Sequence, residues 1–132
     1  MRFLSIFKTV ERNAPPSAEE IERMGKLIEQ EMKKGTLLAT EGCLPSVTGA
    51  RVRLADGKVT VTDGPFTEAK EVVGGFAILR ANSKEEAIQL CREFLAFTGE
   101  DGECELRQLY EAGDCPGQAR THAGQAAEPA RV

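Results

Sequence analysis

Two serine–glutamate pairs constrain this chain more than any other feature, because each predicts the first turn of a helix. Ser17 with Glu20 and Ser83 with Glu86 have the spacing of a capping box, in which a hydroxyl and a carboxylate each bind a free backbone N–H. Apolar residues then recur at helical spacing after both serines: Ile21, Met24, Leu27, Ile28 and Met32 after the first, and Ala87, Ile88, Leu90, Cys91, Phe94 and Leu95 after the second. The sequence therefore predicts two surface helices, each with one apolar face to be covered.

Four short runs rich in branched and aromatic residues surround these helices, at 2–8, 36–40, 75–81 and 103–110. Each run has the length and composition of a strand. The order of elements predicts an α+β fold, a ferredoxin-like βαββαβ layer with both helices on one face of an antiparallel sheet.

An additional hairpin is predicted between the second and third of these strands. Two strictly alternating segments, 51–54 and 59–62, flank Asp56-Gly57, a pair typical of the type I′ turn. We expect Val52, Leu54, Val59 and Val61 on the buried face of this hairpin.

Length and composition favour one folded domain, at 1–111. The 132 residues are 41% hydrophobic, enough for a single core. From residue 112 the sequence is Gly, Ala, Pro, Gln and Arg without periodicity, which predicts a disordered tail at 112–132.

The net charge of −4 offers no basic surface for nucleic acid or an anionic membrane, so neither is an expected partner. No apolar run reaches the roughly 20 residues of a membrane span, and a cytoplasmic location is expected. The four cysteines lack metal-ligand spacing and are expected to be reduced, and no metal or cofactor is predicted.

The sheet face without helices should also be apolar, through Phe3, Phe7, Phe76, Ile78 and Leu106 or the residues next to them. An apolar face of this size needs a cover. We therefore expect a homodimer with the two sheets face to face.

Residues 63–71, Asp-Gly-Pro-Phe-Thr-Glu-Ala-Lys-Glu, combine a turn with several charged side chains, and we call them the loop motif. One interpretation is structural, with Asp63-Gly64-Pro65 forming a turn at a strand end. The other is chemical, with Asp63 as a catalytic base beside Lys70 and Glu71 at the mouth of a pocket.

Further candidate ligand-binding residues lie around the loop motif. Arg51 could bind an anion and Glu41 could supply another carboxylate, although both residue types are more often simply exposed. Phe66 is expected to be a core or interface plug rather than a stacking platform. Gly74-Gly75 predicts a β-bulge or a close backbone contact.

The loop motif, together with Glu41-Gly-Cys-Leu-Pro45, Gly74-Gly75-Phe76, Ser83-Lys-Glu-Glu-Ala87 and Glu105-Leu-Arg107, resembles the DGPF branch of the YCII-related proteins over about residues 1–111. The resemblance implies a ferredoxin-like fold, a dimeric α/β barrel and a bacterial gene often beside an extracytoplasmic-function sigma factor. A His–Asp dyad is proposed in the wider group, but the only histidine here, His122, lies in the predicted tail.

Three functions remain open at this point. The first is a small-molecule binding or sensing protein, linked through the resemblance to sigma-factor regulation. The second is an enzyme of lyase or isomerase type, with Asp63 as base and Lys70 or Arg51 stabilising an oxyanion. The third is an interaction module whose sheet face or tail binds a protein partner.

Overall fold

The computed structural model describes residues 1–12 and 14–114 of the chain. These residues form a four-stranded sheet, two helices and a separate two-stranded hairpin. The elements are β1 (Arg2–Thr9), α1 (Ala18–Lys34), β2 (Leu37–Gly42), a short 3₁₀ turn (Ser46–Thr48), β3 (Ala50–Ala55), β4 (Lys58–Asp63), β5 (Val72–Arg80), α2 (Lys84–Thr98) and β6 (Glu103–Gln108).

The four-stranded sheet has the order β2-β5-β1-β6, and each neighbouring pair is antiparallel. The first strand of the chain therefore lies inside the sheet, between β5 and β6. With the hairpin set aside, this order is consistent with the predicted ferredoxin-like α+β fold. Most of the predicted tail, from residue 115 onward, lies outside the described residues.

Both helices begin at the predicted serines. The Ser17 hydroxyl accepts a hydrogen bond from the Glu20 N–H at 3.1 Å, and the Glu20 carboxylate accepts one from the Ser17 N–H at 2.8 Å, which completes the first capping box. At the second helix Ser83 accepts from the Glu86 N–H, but the Glu86 carboxylate binds the Asn82 N–H instead. The second box is therefore only half formed.

The core lies between α2 and the sheet. Five buried apolar residues form it: Phe3, Leu79, Ala81, Ala87 and Cys91. The α1 helix contributes no buried residue, and its Ile21 and Met32 are 59% and 44% exposed. Burial of apolar surface is therefore concentrated under one helix.

The open sheet face is the side of the sheet without helices. Along β1 its residues are the neighbours of the expected ones. Phe3 is 1% exposed in the core, and Phe7 packs edge-on against Phe94 of α2, so both point toward the helices. Leu106 packs against the same core. Side chains alternate along a strand, and the apolar residues of the open sheet face are therefore Leu4, Ile6, Phe76 and Ile78.

The hairpin forms at the predicted turn but not in the predicted environment. Asp56 and Gly57 have φ values of 52° and 77°, which is the left-handed pair that a type I′ turn requires. The residues expected on a buried face are exposed instead: Val52 by 69%, Leu54 by 70%, Val59 by 62% and Val61 by 63%. Every residue of β3 and β4 is exposed, because within the described residues the two strands form a separate sheet and no layer packs on either of its faces.

The glycine pair at the start of β5 confirms both features expected of it. The pairing with β1 passes from Phe7 opposite Gly75 to Lys8 opposite Val73, which leaves Gly74 as the additional residue of a β-bulge. A Cβ atom on Gly75 would lie 2.7 Å from the backbone oxygen of Glu41, so β2 reaches β5 only because that position has no side chain.

Replacing Gly75 by alanine is expected to destabilise the fold by about 1–3 kcal/mol, because the added methyl group pushes two paired strands apart. Gly25→Ala is the matched control, since nothing lies within 4 Å of its added Cβ and alanine is the better helix former. Urea unfolding measures both. Equal stability of the two variants would contradict the close contact of β2 with β5.

Candidate functional site

A buried serine holds the loop motif against the sheet. Ser46 is 8% exposed, and its hydroxyl accepts a hydrogen bond from the Phe66 N–H at 2.9 Å and donates one to Glu11 at 2.8 Å. The Ser46 N–H donates to the other oxygen of the same carboxylate. Glu11 follows β1, so these bonds tie the end of β1, the 3₁₀ turn and the loop motif together.

Gly64 is the point of closest approach in the motif. Its N–H donates to the Gly49 carbonyl at 2.9 Å, and a Cβ at this position would lie 1.8 Å from the Ser46 carbonyl oxygen. The following peptide bond, to Pro65, is cis. This close backbone contact accounts for the glycine at this position.

Arg51 is anchored by two residues of the loop motif. Its guanidinium carbon lies 3.9 Å from the centre of the Phe66 ring, and a guanidinium nitrogen pairs with the Glu68 carboxylate. A hydrogen bond from its own backbone, followed by this pairing, lowers the pKa of Glu68. Phe66 is half-buried and stacks on the guanidinium of its own chain, and its role as a core or interface plug stays a prediction.

The other charged residues of the motif are exposed. Asp63 ends β4, while Lys70 and Glu71 precede β5. Within residues 1–12 and 14–114 no hydrogen bond or ion pair joins these three side chains to one another. Glu71 lies near Lys8, whose pKa is raised mainly by a hydrogen bond to Glu105 and slightly by Glu71. A catalytic or binding role for Asp63, Lys70 and Glu71 stays a prediction.

The open sheet face has an apolar centre with charged edges. One row across the strands runs Glu41, Phe76, Ile6 and Glu105, and the next runs Ala39, Ile78, Leu4 and Arg107. At the β6 edge the Lys8 amine lies 2.6 Å from a Glu105 oxygen, and this contact lowers the pKa of Glu105. Glu41 is thus placed at one edge of an apolar surface whose opposite edge carries paired charges.

Two kinds of site find no support in the described part of the chain. It contains no group of three or more histidine, cysteine, aspartate or glutamate side chains placed to hold a metal ion. Neither α1 nor α2 has the length and apolar composition needed to cross a membrane.

The fold and these surfaces define an α+β protein with a ferredoxin-like sheet, an inserted hairpin and one uncovered sheet face. Residues 1–113 match the YCII-related domain family. A stretch of 106 residues is 31% identical to an uncharacterized protein of Rhizobium meliloti (strain 1021), and it covers 76% of this chain and 86% of that protein. The chain belongs to the YCII-related family.

Sequence reasoning missed Ser46 and Glu11. These residues are 35 positions apart, and neither belongs to a local pattern of hydrophobicity, capping or turn formation. The one local signal is the Pro45-Ser46 pair at the start of the 3₁₀ turn, which predicts a turn but no partner. Their bonds depend on tertiary structure alone.

Ser46→Ala is expected to destabilise the protein by about 1–3 kcal/mol, because it leaves the Phe66 N–H without a partner and removes one of the two hydrogen bonds that the Glu11 carboxylate accepts from Ser46. Thr48→Ala is the control: it removes only a local, exposed bond to Pro45 and should cost about 0.5 kcal/mol or less. Chemical denaturation compares the two. A Ser46→Ala variant no less stable than Thr48→Ala would contradict the anchoring role of Ser46.

Proposed function

We propose that this YCII-related protein is a homodimeric small-molecule binding or sensing protein, in which two open sheet faces pack together as a dimeric α/β barrel. The observation that supports this proposal most directly is the apolar centre of the open sheet face. Leu4, Ile6, Phe76 and Ile78 adjoin one another across two strands, β1 and β5, on the side without helices. Contiguous apolar surface of this kind marks an interface or a binding site, and a second copy is the cover that symmetry offers most simply.

The hairpin supports the same proposal. Four apolar side chains on one of its faces are 62–70% exposed in the protomer. An isolated two-stranded hairpin is marginally stable in water, so this face needs a packing partner. In the proposed dimer the second copy covers it, which brings the loop motif at the base of the hairpin to the edge of the interface.

The ligand in this proposal lies between the sheets, over the apolar centre. Small-molecule sites combine an apolar lining with a few polar groups, and here Glu41 supplies a carboxylate beside Phe76. Arg51, Phe66, Lys70 and Glu71 would line the mouth of the site. A compact molecule with an apolar body and a hydrogen-bond donor directed toward Glu41 fits this arrangement.

The exposure and the pairing of the side chains of the loop motif favour binding over catalysis. Asp63 is exposed to water in the protomer, whereas a catalytic base needs an enclosed pocket. Arg51, one candidate for stabilising an oxyanion, is engaged by Phe66 and Glu68. The resemblance to the DGPF branch extends the proposal to a cytoplasmic role in sigma-factor regulation.

A negative charge at the centre of the interface should separate the dimer. Ile6→Asp is expected to change the molar mass in light scattering at micromolar concentration from that of a dimer to that of a monomer, because the carboxylate would be buried without a partner. Gln89→Asp, on the exposed side of α2, is the matched control and should stay dimeric. A monomeric wild-type protein would contradict the proposal.

Ligand binding is tested with a panel of small phenols and aromatic amines, by ligand-observed NMR and thermal shift. Glu41→Gln should weaken binding of a hit about tenfold through loss of a charged hydrogen bond, while the exposed Glu85→Gln should leave it unchanged. Turnover of a hit that Asp63→Asn abolishes would instead establish the enzyme alternative. Hits that neither Glu41→Gln nor Asp63→Asn weakens would overturn the proposed location.

A further inference from the structure

A cleft lies on the helix side of the sheet, opposite the open sheet face. It is bounded by α2 and by β6, which is the edge strand beside β1. Its volume is about 190 Å³, and it is lined by Ile88, Cys91, Arg92, Leu95, Cys104 and Leu106. Two of its six lining residues are cysteines from different elements, a placement that the sequence spacing of 91 and 104 does not suggest.

The two cysteines form a small polar cluster with a serine at the edge of the core. Cys91 is 9% exposed, and its sulfur lies 3.6 Å from the hydroxyl oxygen of Ser5, which is 7% exposed. Cys104 is half-buried on β6, where it pairs with Phe7 of β1 and packs against the core. Both thiols therefore line the same cleft.

The surroundings of the two thiols shift their pKa values in opposite directions. A hydrogen bond from Cys104 lowers the pKa of Cys91 to about 6, with burial acting against this and Ser5 adding to it. The same bond and burial raise the pKa of Cys104, as does the nearby charge of Glu103. The other charged group lining the cleft is Arg92 of α2. The two pKa shifts run in opposite directions, so Cys91 gives up its proton more readily than Cys104.

We propose that Cys91 and Cys104 are a redox-active pair that small hydroperoxides oxidise to a disulfide, with Cys91 as the attacking thiol and Cys104 as the resolving thiol. The placement of both sulfurs in one cleft carries this proposal. Cys43, by contrast, lies in an exposed loop after β2. The pair is on the opposite side of the sheet from the proposed dimer interface, so the two proposals stand independently.

The chemistry balances with hydrogen peroxide as the oxidant. The Cys91 thiolate attacks one peroxide oxygen, the O–O bond breaks, and hydroxide leaves and takes a proton to become water, which leaves a sulfenic acid on Cys91. The Cys104 sulfur then attacks the Cys91 sulfur, an S–S bond forms, and the S–O bond breaks. The departing hydroxyl group takes the Cys104 proton as a second water, and two electrons have passed from the thiols to the peroxide.

The experiment treats the reduced full-length protein with one equivalent of hydrogen peroxide, blocks free thiols with iodoacetamide, and maps peptides by mass spectrometry without reduction. A Cys91–Cys104 linked peptide is expected, and a thiol reductant should remove it. In Cys104→Ser the reaction should stop at a sulfenic acid on Cys91 that dimedone traps. Cys43→Ser and Cys115→Ser are the controls and should form the linked peptide as the wild type does.

A kinetic readout separates reactivity from mere proximity. Cys91 should react with peroxide at least about tenfold faster than Cys43 at pH 7, because only the thiolate is the nucleophile. That rate should fall as pH is lowered through about 6. A wild-type map in which Cys43 or Cys115 is oxidised first and no Cys91–Cys104 peptide forms would overturn the proposal, and this result depends on no variant folding.

Discussion

A four-stranded antiparallel sheet with helices on only one side leaves its second side uncovered, and this constraint governs the rest of the protein. The helix side holds the core around Phe3 and Ala87. The other side carries Leu4, Ile6, Phe76 and Ile78 from β1 and β5, each of them partly exposed. The described residues form no third layer that covers this side.

The loop motif is connected to this constraint through Ser46. The bonds from Ser46 to Glu11 and to Phe66 fix the base of the hairpin relative to the end of β1. Gly64 permits that contact, and Arg51 stacks on the ring that the contact positions. The unusual composition of the motif is therefore explained largely by architecture: most of its special residues shape the junction between a hairpin and a sheet.

Local signals made much of the fold predictable from the sequence. Ser17, Ser83 and the Asp56-Gly57 pair act within a few residues of themselves. The first capping box and the turn form as expected, while Ser83 caps the second helix without the reciprocal bond. The order of elements then led to the ferredoxin-like arrangement. The sequence does not show which residues of β1 face the helices, because Phe3 and Leu4 are both apolar. Alternation alone is compatible with either of them in the core.

The rest depends on contacts between distant residues. Val52 and Val61 have the pattern of a buried face, yet what covers that face is not encoded in the hairpin itself. Glu68 is exposed and pairs with Arg51, which lies 17 residues away. Cys91 lies on α2, whereas Cys104 lies on the edge strand β6. In each case the deciding neighbour comes from another element, which periodicity and spacing do not identify.

The most direct test of the central claim is an isotope-filtered NOE experiment on a mixed sample of labelled and unlabelled protein. Contacts between the methyl groups of Ile6 or Ile78 on one copy and the Phe76 ring of another are predicted, since two open sheet faces would pack together. A spectrum with intermolecular contacts only from α1 or α2, or with none, would contradict the account.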